Sequence, residues 1–506
     1  MYQSHNIRQK RSFYRPRQGG SMNDQSTRPF GVKDQVGYVF GDMAGSFVNL
    51  FVDAYFLTFC TYVLGISPGW MAGMFLATRL WDAVDDPIMG SFPDRWMLGK
   101  SGDKFKPWVK LFMIPLALSG ILCFSNVPFE GVALHAWVAI VYVLYSIFYT
   151  GTSMPFGAMA SVISSDPIDR SKLSRARSIG GTIVGIGALS IVPVVCFDKD
   201  SNILPERFTM IAVIFGVLCI ISYLLLCSLT VERVRQQKQE GETFHYGRVL
   251  KAAVKNRPLI GVMVATIGSM IYITGSGQLR SYIYKEYYQN TSFMSLASLG
   301  TLPVMLICFV LVPKIVDKFG KRNVILVMSA YNLILSSFIL LFPIQSAFLY
   351  TVLNLLATIG QTAFTILIWA LVTDCLDYSE WKMNFRADGS MYSLYTFSRK
   401  VGSTIASTGA ASALAAIGYV SGAGAVQSAA TVNHIYYLVN AVPVVTCILE
   451  LIGIGLIFNL DNRKTQEMYE ALAKRRGKPD KHNKNAASFR QHFQCYYFIF
   501  CYTTNP

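Results

Sequence analysis

The sequence predicts an all-α membrane protein of about twelve transmembrane helices, each long enough to cross a hydrocarbon layer of about 30 Å. Of its 506 residues, 52% are hydrophobic and only 15% are charged, whereas a soluble domain carries about 25% charged residues. The apolar runs are too long and too continuous for barrel strands, and only helices or closed barrels satisfy backbone hydrogen bonds in lipid. These observations together predict a helical bundle.

The apolar runs divide the chain into spans and connections. We place the spans near 36–62, 68–90, 106–125, 134–155, 176–197, 207–230, 258–284, 293–313, 323–343, 347–374, 389–418 and 433–459. Connections rich in Lys and Arg lie between spans two and three, four and five, and eight and nine, whereas the opposite connections near 59–68, 344–348 and 419–432 contain neither. The positive-inside rule therefore predicts both termini on the cytoplasmic side of the cell inner membrane. The net charge of +16 is explained by this topology, so no nucleic-acid partner is predicted.

The longest polar connection separates two sets of six spans. The predicted organisation is a cytoplasmic N-terminal segment at 1–35, a six-helix bundle at 36–230, a cytoplasmic loop at 231–257, a second bundle at 258–459 and a cytoplasmic tail at 460–506. A short loop after the second span of each half repeats one pattern, a turn-forming residue followed by Asp94 or Asp317 and basic residues. Such internal repetition is typical of transporter halves. It resembles the loop signature of the major facilitator superfamily, which implies a major facilitator fold.

Several other classes of protein are not supported. The ten cysteines occur singly and form no CxxC pair, so they are predicted to be small packing residues. The first thirty residues contain no apolar core of signal-peptide length. No Walker loop, HExxH, GxSxG or paired Cys/His spacing occurs. Neither an enzyme nor a cofactor is predicted.

The second span carries an unusual group of charges. Asp82, Asp85 and Asp86 stand at i, i+3 and i+4, so they share one helix face, and Arg79 lies one turn before Asp82. Three carboxylates cannot all stay ionised at low dielectric without a counter-charge. Either one of them holds a proton or a bound cation neutralises the group, and both arrangements describe a coupling-ion site. The alternative is a static salt-bridge network with Arg79 and Lys400.

The eleventh span contains Thr396 and Lys400 in an otherwise small and apolar helix. A lysine at this depth is placed to pair with the carboxylates of the second span. The alternative is that Lys400 extends along the helix to the cytoplasmic interface.

Polar residues on the first and fourth spans are further candidates. Ser46, Asn49 and Asp53 lie close to one helix face, which suits either ligand contact or helix packing. On the fourth span, Thr150 and Ser153 precede Pro155, and an interrupted helix near the midplane often marks a binding site.

The cytoplasmic end of the tenth span carries alternating charges. Asp374, Asp377, Glu380 and the nearby Arg386 follow one another at the predicted membrane edge. This pattern more often forms salt bridges between helices than a substrate site, so we predict a charge network, a cytoplasmic gate or latch.

Three segments together resemble the glycoside–pentoside–hexuronide:cation symporter family, typified by the melibiose permease. They lie at 79–90, 102–108 and 377–382, and the resemblance covers about residues 34–470. The resemblance implies that Asp82, Asp86 and Thr150 bind the coupling cation, H⁺ or Na⁺. It also implies that three further residues contact the sugar: Arg177, Thr396 and Lys400.

Two departures from the family pattern bear on specificity. Asp85 replaces an Asn of the melibiose permease, which makes proton coupling more plausible without excluding sodium. Two sugar-binding Asp positions fall at Ser46 and Ser153, so binding of a galactoside by two carboxylates is not expected. Fewer negative charges leave Arg177 and Lys400 better able to accept an anionic sugar such as a uronide.

The sequence therefore predicts a secondary active transporter that moves a glycoside, pentoside or hexuronide with a cation by alternating access. A carrier of a non-sugar solute, such as an organic anion or a lysolipid, is an alternative that an apolar cavity on spans two and five would favour. A membrane sensor without transport activity is another, and the intact ion cluster argues against it.

Overall fold

The computed structural model describes residues 28–475 except 97, 99–101, 165, 199–200, 234–254, 384–387 and 423. Predictions for the N-terminal segment, most of the central loop, the far C-terminal tail and Arg386 therefore lie outside the described residues. Within them the fold is helical, apart from turns and one isolated bridge between Phe197 and Ile203.

Twelve helical spans are present in this part of the chain, and each corresponds to a predicted one. They are α1 Val32–Tyr62, α2 Pro68–Arg95, α3 Lys106–Cys123, α4 Gly131–Ile163, α5 Pro167–Thr182 continued by the π-helical turn Ile183–Ala188 and α6 Leu189–Cys196, α7 Pro205–Leu229, α8 Arg257–Tyr282 with the π-helical extension Ile283–Tyr287, α9 Ser292–Phe319, α10 Lys321–Leu341, α11 Ala347–Met383, α12 Asp388–Ala416, and α13 Ala429–Leu451 with the π-helical extension Ile452–Ile457. A shorter helix, α14 Asn462–Arg475, follows.

Side chains and glycine mark several helix ends. Ser67 accepts the backbone N–H of Trp70 at the start of α2, as expected of an N-cap residue. Asn256 accepts the N–H of Leu259 at 3.0 Å at the start of α8. α9 ends at Gly320, whose φ of 82° lies in the left-handed region that favours glycine. The ends of these helices are therefore specified by the local sequence.

Ten of the described helices are long and apolar enough to cross a membrane. The other two long helices, α2 and α12, carry the intramembrane charges that the sequence analysis singled out. One expectation for the spans was wrong. α4 is not interrupted at Pro155 but continues to Ile163.

Glycines allow close helix contacts inside each half of the bundle. A Cβ at Gly180 on α5 would lie 2.4 Å from the Val39 carbonyl oxygen of α1. In the second half, a Cβ at Gly261 on α8 would lie 2.6 Å from the Gly453 carbonyl oxygen. Small residues that let backbones approach are typical of helix packing in membranes. The first contact matters for function because it sets α5 against the polar face of α1.

Hydrogen bonds between the two halves cluster where α1 ends and α8 passes into its π-helical extension. They include Thr58 to Ser281 (2.5 Å between hydroxyl oxygens), Thr61 to Tyr282 (2.7 Å), the Tyr62 hydroxyl to Glu286 (2.9 Å) and the Ser295 hydroxyl to the Ser190 carbonyl (2.7 Å). We call these residues the seam. The seam therefore closes one end of the bundle.

The described cysteines are buried and unpaired, which confirms their predicted role as packing residues.

A buried acidic residue in the second half is less expected. Glu450 on α13 is 1% exposed; one carboxyl oxygen accepts the Ser329 hydroxyl at 2.8 Å and the other has no hydrogen-bond partner. Among the described residues no basic group pairs with it. A carboxylate without a counter-charge is costly at this depth, so we expect Glu450 to be protonated.

Glu450→Gln should therefore be nearly neutral for stability, because the amide keeps an acceptor for Ser329 and carries no charge. Glu450→Ala should lower the free energy of unfolding by about 1–3 kcal/mol, since it leaves a buried hydroxyl without its acceptor. Thermal unfolding of the purified variants in detergent measures both effects. Equal destabilisation by Gln and Ala would contradict the protonated state.

Candidate functional site

The polar face of α2 lies against α4 and α12. Arg79 Nη1 is 3.4 Å from one oxygen of Asp82. The other oxygen of Asp82 accepts a short hydrogen bond from the Ser146 hydroxyl of α4. Asp82 thus has one basic partner on its own helix and one hydroxyl partner on α4. The environment of Asp82 therefore has features of both alternatives given in the sequence analysis, a salt bridge and a polar site inside the membrane.

Asp86 joins α2 to both neighbouring helices. Lys400 on α12 forms an ion pair with one oxygen of Asp86, and the Thr150 hydroxyl donates to the other at 3.4 Å. The Lys400 side chain remains 53% exposed. The predicted pairing between the second and eleventh spans is present in the structure. It links the two halves of the bundle through a single ion pair.

The structure adds Asp53 of α1 to this group of charges. Arg79 Nη2 lies 3.7 Å from Asp53, and Asn49 donates to Asp53 at 3.0 Å. The Tyr145 hydroxyl in turn donates to Asn49 at 2.9 Å. Sequence analysis placed Asn49 and Asp53 on one face, but it did not include Asp53 among the site residues. Its link to the second span depends on tertiary packing, through Arg79.

The charges of this cluster do not balance. It contains the carboxyl groups of Asp53, Asp82, Asp85 and Asp86 and the basic groups of Arg79 and Lys400. Asp85 is only 6% exposed, and its Oδ2 atom is buried without a hydrogen-bond partner. A buried carboxylate oxygen without a partner is strongly disfavoured. The arrangement can therefore accept a proton or a small cation.

A second charged pair lies on α1 and α5. Arg177 Nε donates to Asp42 at 3.0 Å, and the Arg177 side chain is 50% exposed. Its guanidinium lies 5.4 Å from the centre of the Phe156 ring. The close approach of Gly180 to α1 brings Asp42 to α5. Sequence analysis named Arg177 but gave the position on α1 to Ser46, one turn further along.

The remaining predicted contact residues lie on the same helices. Ser46 on α1 and Ser153 on α4 are partly buried, and Thr396 on α12 lies one turn before Lys400. Among the described residues, no group of three or more His, Cys, Asp or Glu converges as metal ligands. The site thus consists of paired charges and hydroxyl groups.

Asp374, near the end of α11, forms its contacts within the second half of the bundle. Lys321 Nζ contacts both oxygens of Asp374 at 2.8 and 2.7 Å, and the Tyr469 hydroxyl forms a short hydrogen bond to the same carboxyl group. These contacts join α11 to α10 and α14, all in the second half. Asp377 and Glu380 follow on the same helix. In this conformation the described contacts of Asp374 stabilise the second half of the bundle and do not connect it to the first half.

An apolar recess of about 710 Å³ lies on the outer side of α2 and α4. Its lining includes Trp70, Trp81, Ala139 and Val143. The sequence analysis tied a lipid-like solute to an apolar cavity on spans two and five. This recess is on spans two and four, so it does not meet that condition.

The fold and the site define a class of protein. Twelve helical spans in two halves surround charged side chains that can take up an ion, and one end of the bundle is closed by hydrogen bonds between the halves. This is the architecture of a multi-pass membrane transporter. A family model described as "MFS/sugar transport protein" matches residues 37–462. The chain belongs to this family of sugar transporters and is not an enzyme.

Individual relatives agree with this assignment. The chain is 28% identical over 472 residues to a putative sulfoquinovose importer of Salmonella typhimurium, covering 90% of this chain and 96% of the relative. It is 29% identical over 436 residues to an isoprimeverose transporter of Lactiplantibacillus pentosus, with coverages of 84% and 88%. Among solved structures, a D-xylose-proton symporter superposes with a TM-score of 0.56 at 13% identity, covering 83% of this chain and 96% of the other. This structural likeness confirms the major facilitator fold.

Proposed function

We propose that the chain is a cation-coupled symporter in which Asp82, Asp85 and Asp86, with Thr150, take up the coupling ion. The observation that carries this assignment is the buried Oδ2 atom of Asp85, which has no partner in a cluster that already has more carboxyl than basic groups. An entering cation supplies the missing charge. Release of the ion restores the imbalance, so occupancy of this site and the conformation of α2 are linked.

A proton is the coupling ion that the geometry favours. The described acidic side chains do not converge as a group of metal ligands. Asp82 and Asp86 already accept hydrogen bonds from α4, whereas one oxygen of Asp85 is unsatisfied. A single proton on Asp85 would remove its buried negative charge without the several oxygen ligands that a metal cation requires. Sodium in place of the proton is an outcome that the experiment below separates.

The solute that fits best is a sugar derivative with a negative charge. Arg177 and Lys400 are each half exposed and each pair with one carboxylate. The two positions that resemble sugar-binding Asp residues are Ser46 and Ser153. Two relatives are named for the sugars they carry: sulfoquinovose is a sulfonated sugar and isoprimeverose is a neutral one. We place solute contacts at Ser46, Asn49, Ser153, Arg177, Thr396 and Lys400.

The proposed orientation places both termini in the cytoplasm of the cell and the seam at the outer face of the inner membrane. It is supported by the distribution of Lys and Arg, which are concentrated in the connections at the end opposite the seam. The segments 1–35, 231–257 and 460–506 are cytoplasmic in this topology. The described structure then represents a carrier closed to the outside.

Uptake should depend on an ion gradient, because the acidic cluster needs a cation to become neutral before the carrier reorients. In energised membrane vesicles supplied with an external labelled uronide or pentoside, a protonophore should abolish accumulation if the ion is H⁺, and sodium removal should do so if it is Na⁺. Vesicles without the protein are the control. Accumulation that survives both treatments would exclude symport.

A further inference from the structure

Arg280 is a basic residue of α8 that the site described above does not include. It lies about seven residues before the end of the π-helical extension at Tyr287, which corresponds to a depth of about 10 Å at a helical rise of 1.5 Å per residue. Its neighbour Ser281 belongs to the seam. Arg280 is therefore placed immediately inside the closed end of the bundle.

The guanidinium of Arg280 differs from the other intramembrane basic groups in its partners. Arg79, Arg177 and Lys400 each pair with a carboxylate. Arg280 donates to the Ser298 hydroxyl on α9 at 3.3 Å, and no carboxylate of the described residues lies within salt-bridge distance of it. A charge at membrane depth is expected to face the bundle interior and to find a counter-charge. Among the described residues, Arg280 has no such counter-charge.

Hydroxyl groups from both halves surround this position. The phenols of Tyr55 on α1 and Tyr350 on α11 lie within electrostatic range of the guanidinium. Ser298 lies one turn deeper on α9 than Ser295, which belongs to the seam. An arginine whose side chain makes one hydrogen bond to the described residues, beside neutral hydroxyl groups, suits a carboxylate or sulfonate oxygen pair.

We propose that Arg280 binds the anionic group of the transported solute, a carboxylate or sulfonate carried by a sugar. This assignment rests on the proposed function and specifies it. The negative group of the solute supplies the counter-charge that Arg280 lacks. Arg280 is thereby a specificity-determining residue for anionic over neutral sugars, in addition to Arg177 and Lys400.

The test compares Arg280→Gln with the wild-type protein and with Arg399→Gln as the matched control. Arg399 is also an arginine in a long helix without a carboxylate partner among the described residues, but it lies over the Trp369 ring at 5.7 Å. Thermal stabilisation of the purified proteins is measured with D-glucuronate, a 6-sulfonated glucose and neutral D-xylose. Counterflow of the same three sugars is measured in vesicles.

The expected result is at least a tenfold weaker response of Arg280→Gln to the anionic sugars, with D-xylose unchanged and Arg399→Gln like the wild type. An equal loss for anionic and neutral sugars would mean that Arg280 has a purely structural role. Retention of the anionic response in Arg280→Gln would overturn the assignment. If the wild type responds to D-xylose but to no anionic sugar, the anion subsite is wrong while sugar transport stands; no response to any sugar would overturn both.

Discussion

Asp86→Asn should abolish concentrative uptake while exchange of solute across the membrane continues. For a neutral solute, one positive charge moving through about 100 mV gains about 2.3 kcal/mol, which at about 1.4 kcal/mol per tenfold change supports roughly fifty-fold accumulation. An anionic solute that moves with one cation carries no net charge across the membrane, so the concentration gradient of the ion drives its accumulation. Removing a carboxyl group that contacts both Lys400 and Thr150 removes the ion coupling, so the accumulation ratio should fall towards one. Asp82→Asn should behave in the same way.

The measurement is the ratio of internal to external labelled solute in energised vesicles, together with counterflow in de-energised ones. Asp374→Asn is a useful control, because Asp374 contacts Lys321 and Tyr469 within the second half only. Normal accumulation by either the Asp82 or the Asp86 variant would show that this carboxyl group takes no part in ion coupling.

A disulfide across the seam should lock the carrier. The hydroxyl oxygens of Thr58 and Ser281 are 2.5 Å apart, so the corresponding β-carbons are close to the separation of about 3.5–4.5 Å that a disulfide requires. The double variant Thr58→Cys/Ser281→Cys should lose most of its transport after oxidation, because the halves can no longer separate at this end. Reduction should restore it.

Each single cysteine variant serves as a control, and both should transport with or without oxidant. The native cysteines in the described region are buried and unpaired, which limits unwanted cross-links. A double variant that is fully cross-linked and still transports at the normal rate would show that the seam does not open during the cycle.

Much of the fold was readable from the sequence because membrane helices are specified by local features. Apolar length located all the described spans, and charges inside apolar runs identified Asp82, Asp86 and Lys400. The ion pair between Asp86 and Lys400 was predicted from the scarcity of intramembrane counter-charges. α4 departed from the prediction because Pro155 is accommodated within a continuous helix.

The parts that sequence analysis missed depend on how helices meet. The position on α1 was given to Ser46 and not to Asp42 because the choice between these two turns depends on the contact at Gly180, which the sequence does not show. Arg280 drew no attention since Lys285 and Glu286 follow it and suggest a membrane edge. Its position inside the seam becomes visible only when α1 and α9 are placed beside it.

The hydrogen bonds of the seam determine how much free energy is needed to open this end of the bundle in each transport cycle. Three of the four seam hydrogen bonds named above join neutral groups, and such bonds contribute about 1 kcal/mol each in net terms. This total is similar to the roughly 2.3 kcal/mol released by one charge crossing 100 mV. A lock built from ion pairs would hold more firmly and would slow the return of the empty carrier. Hydroxyl groups that exchange donor and acceptor roles keep the two access states nearly equal in free energy, so that binding of the ion and the solute decides between them.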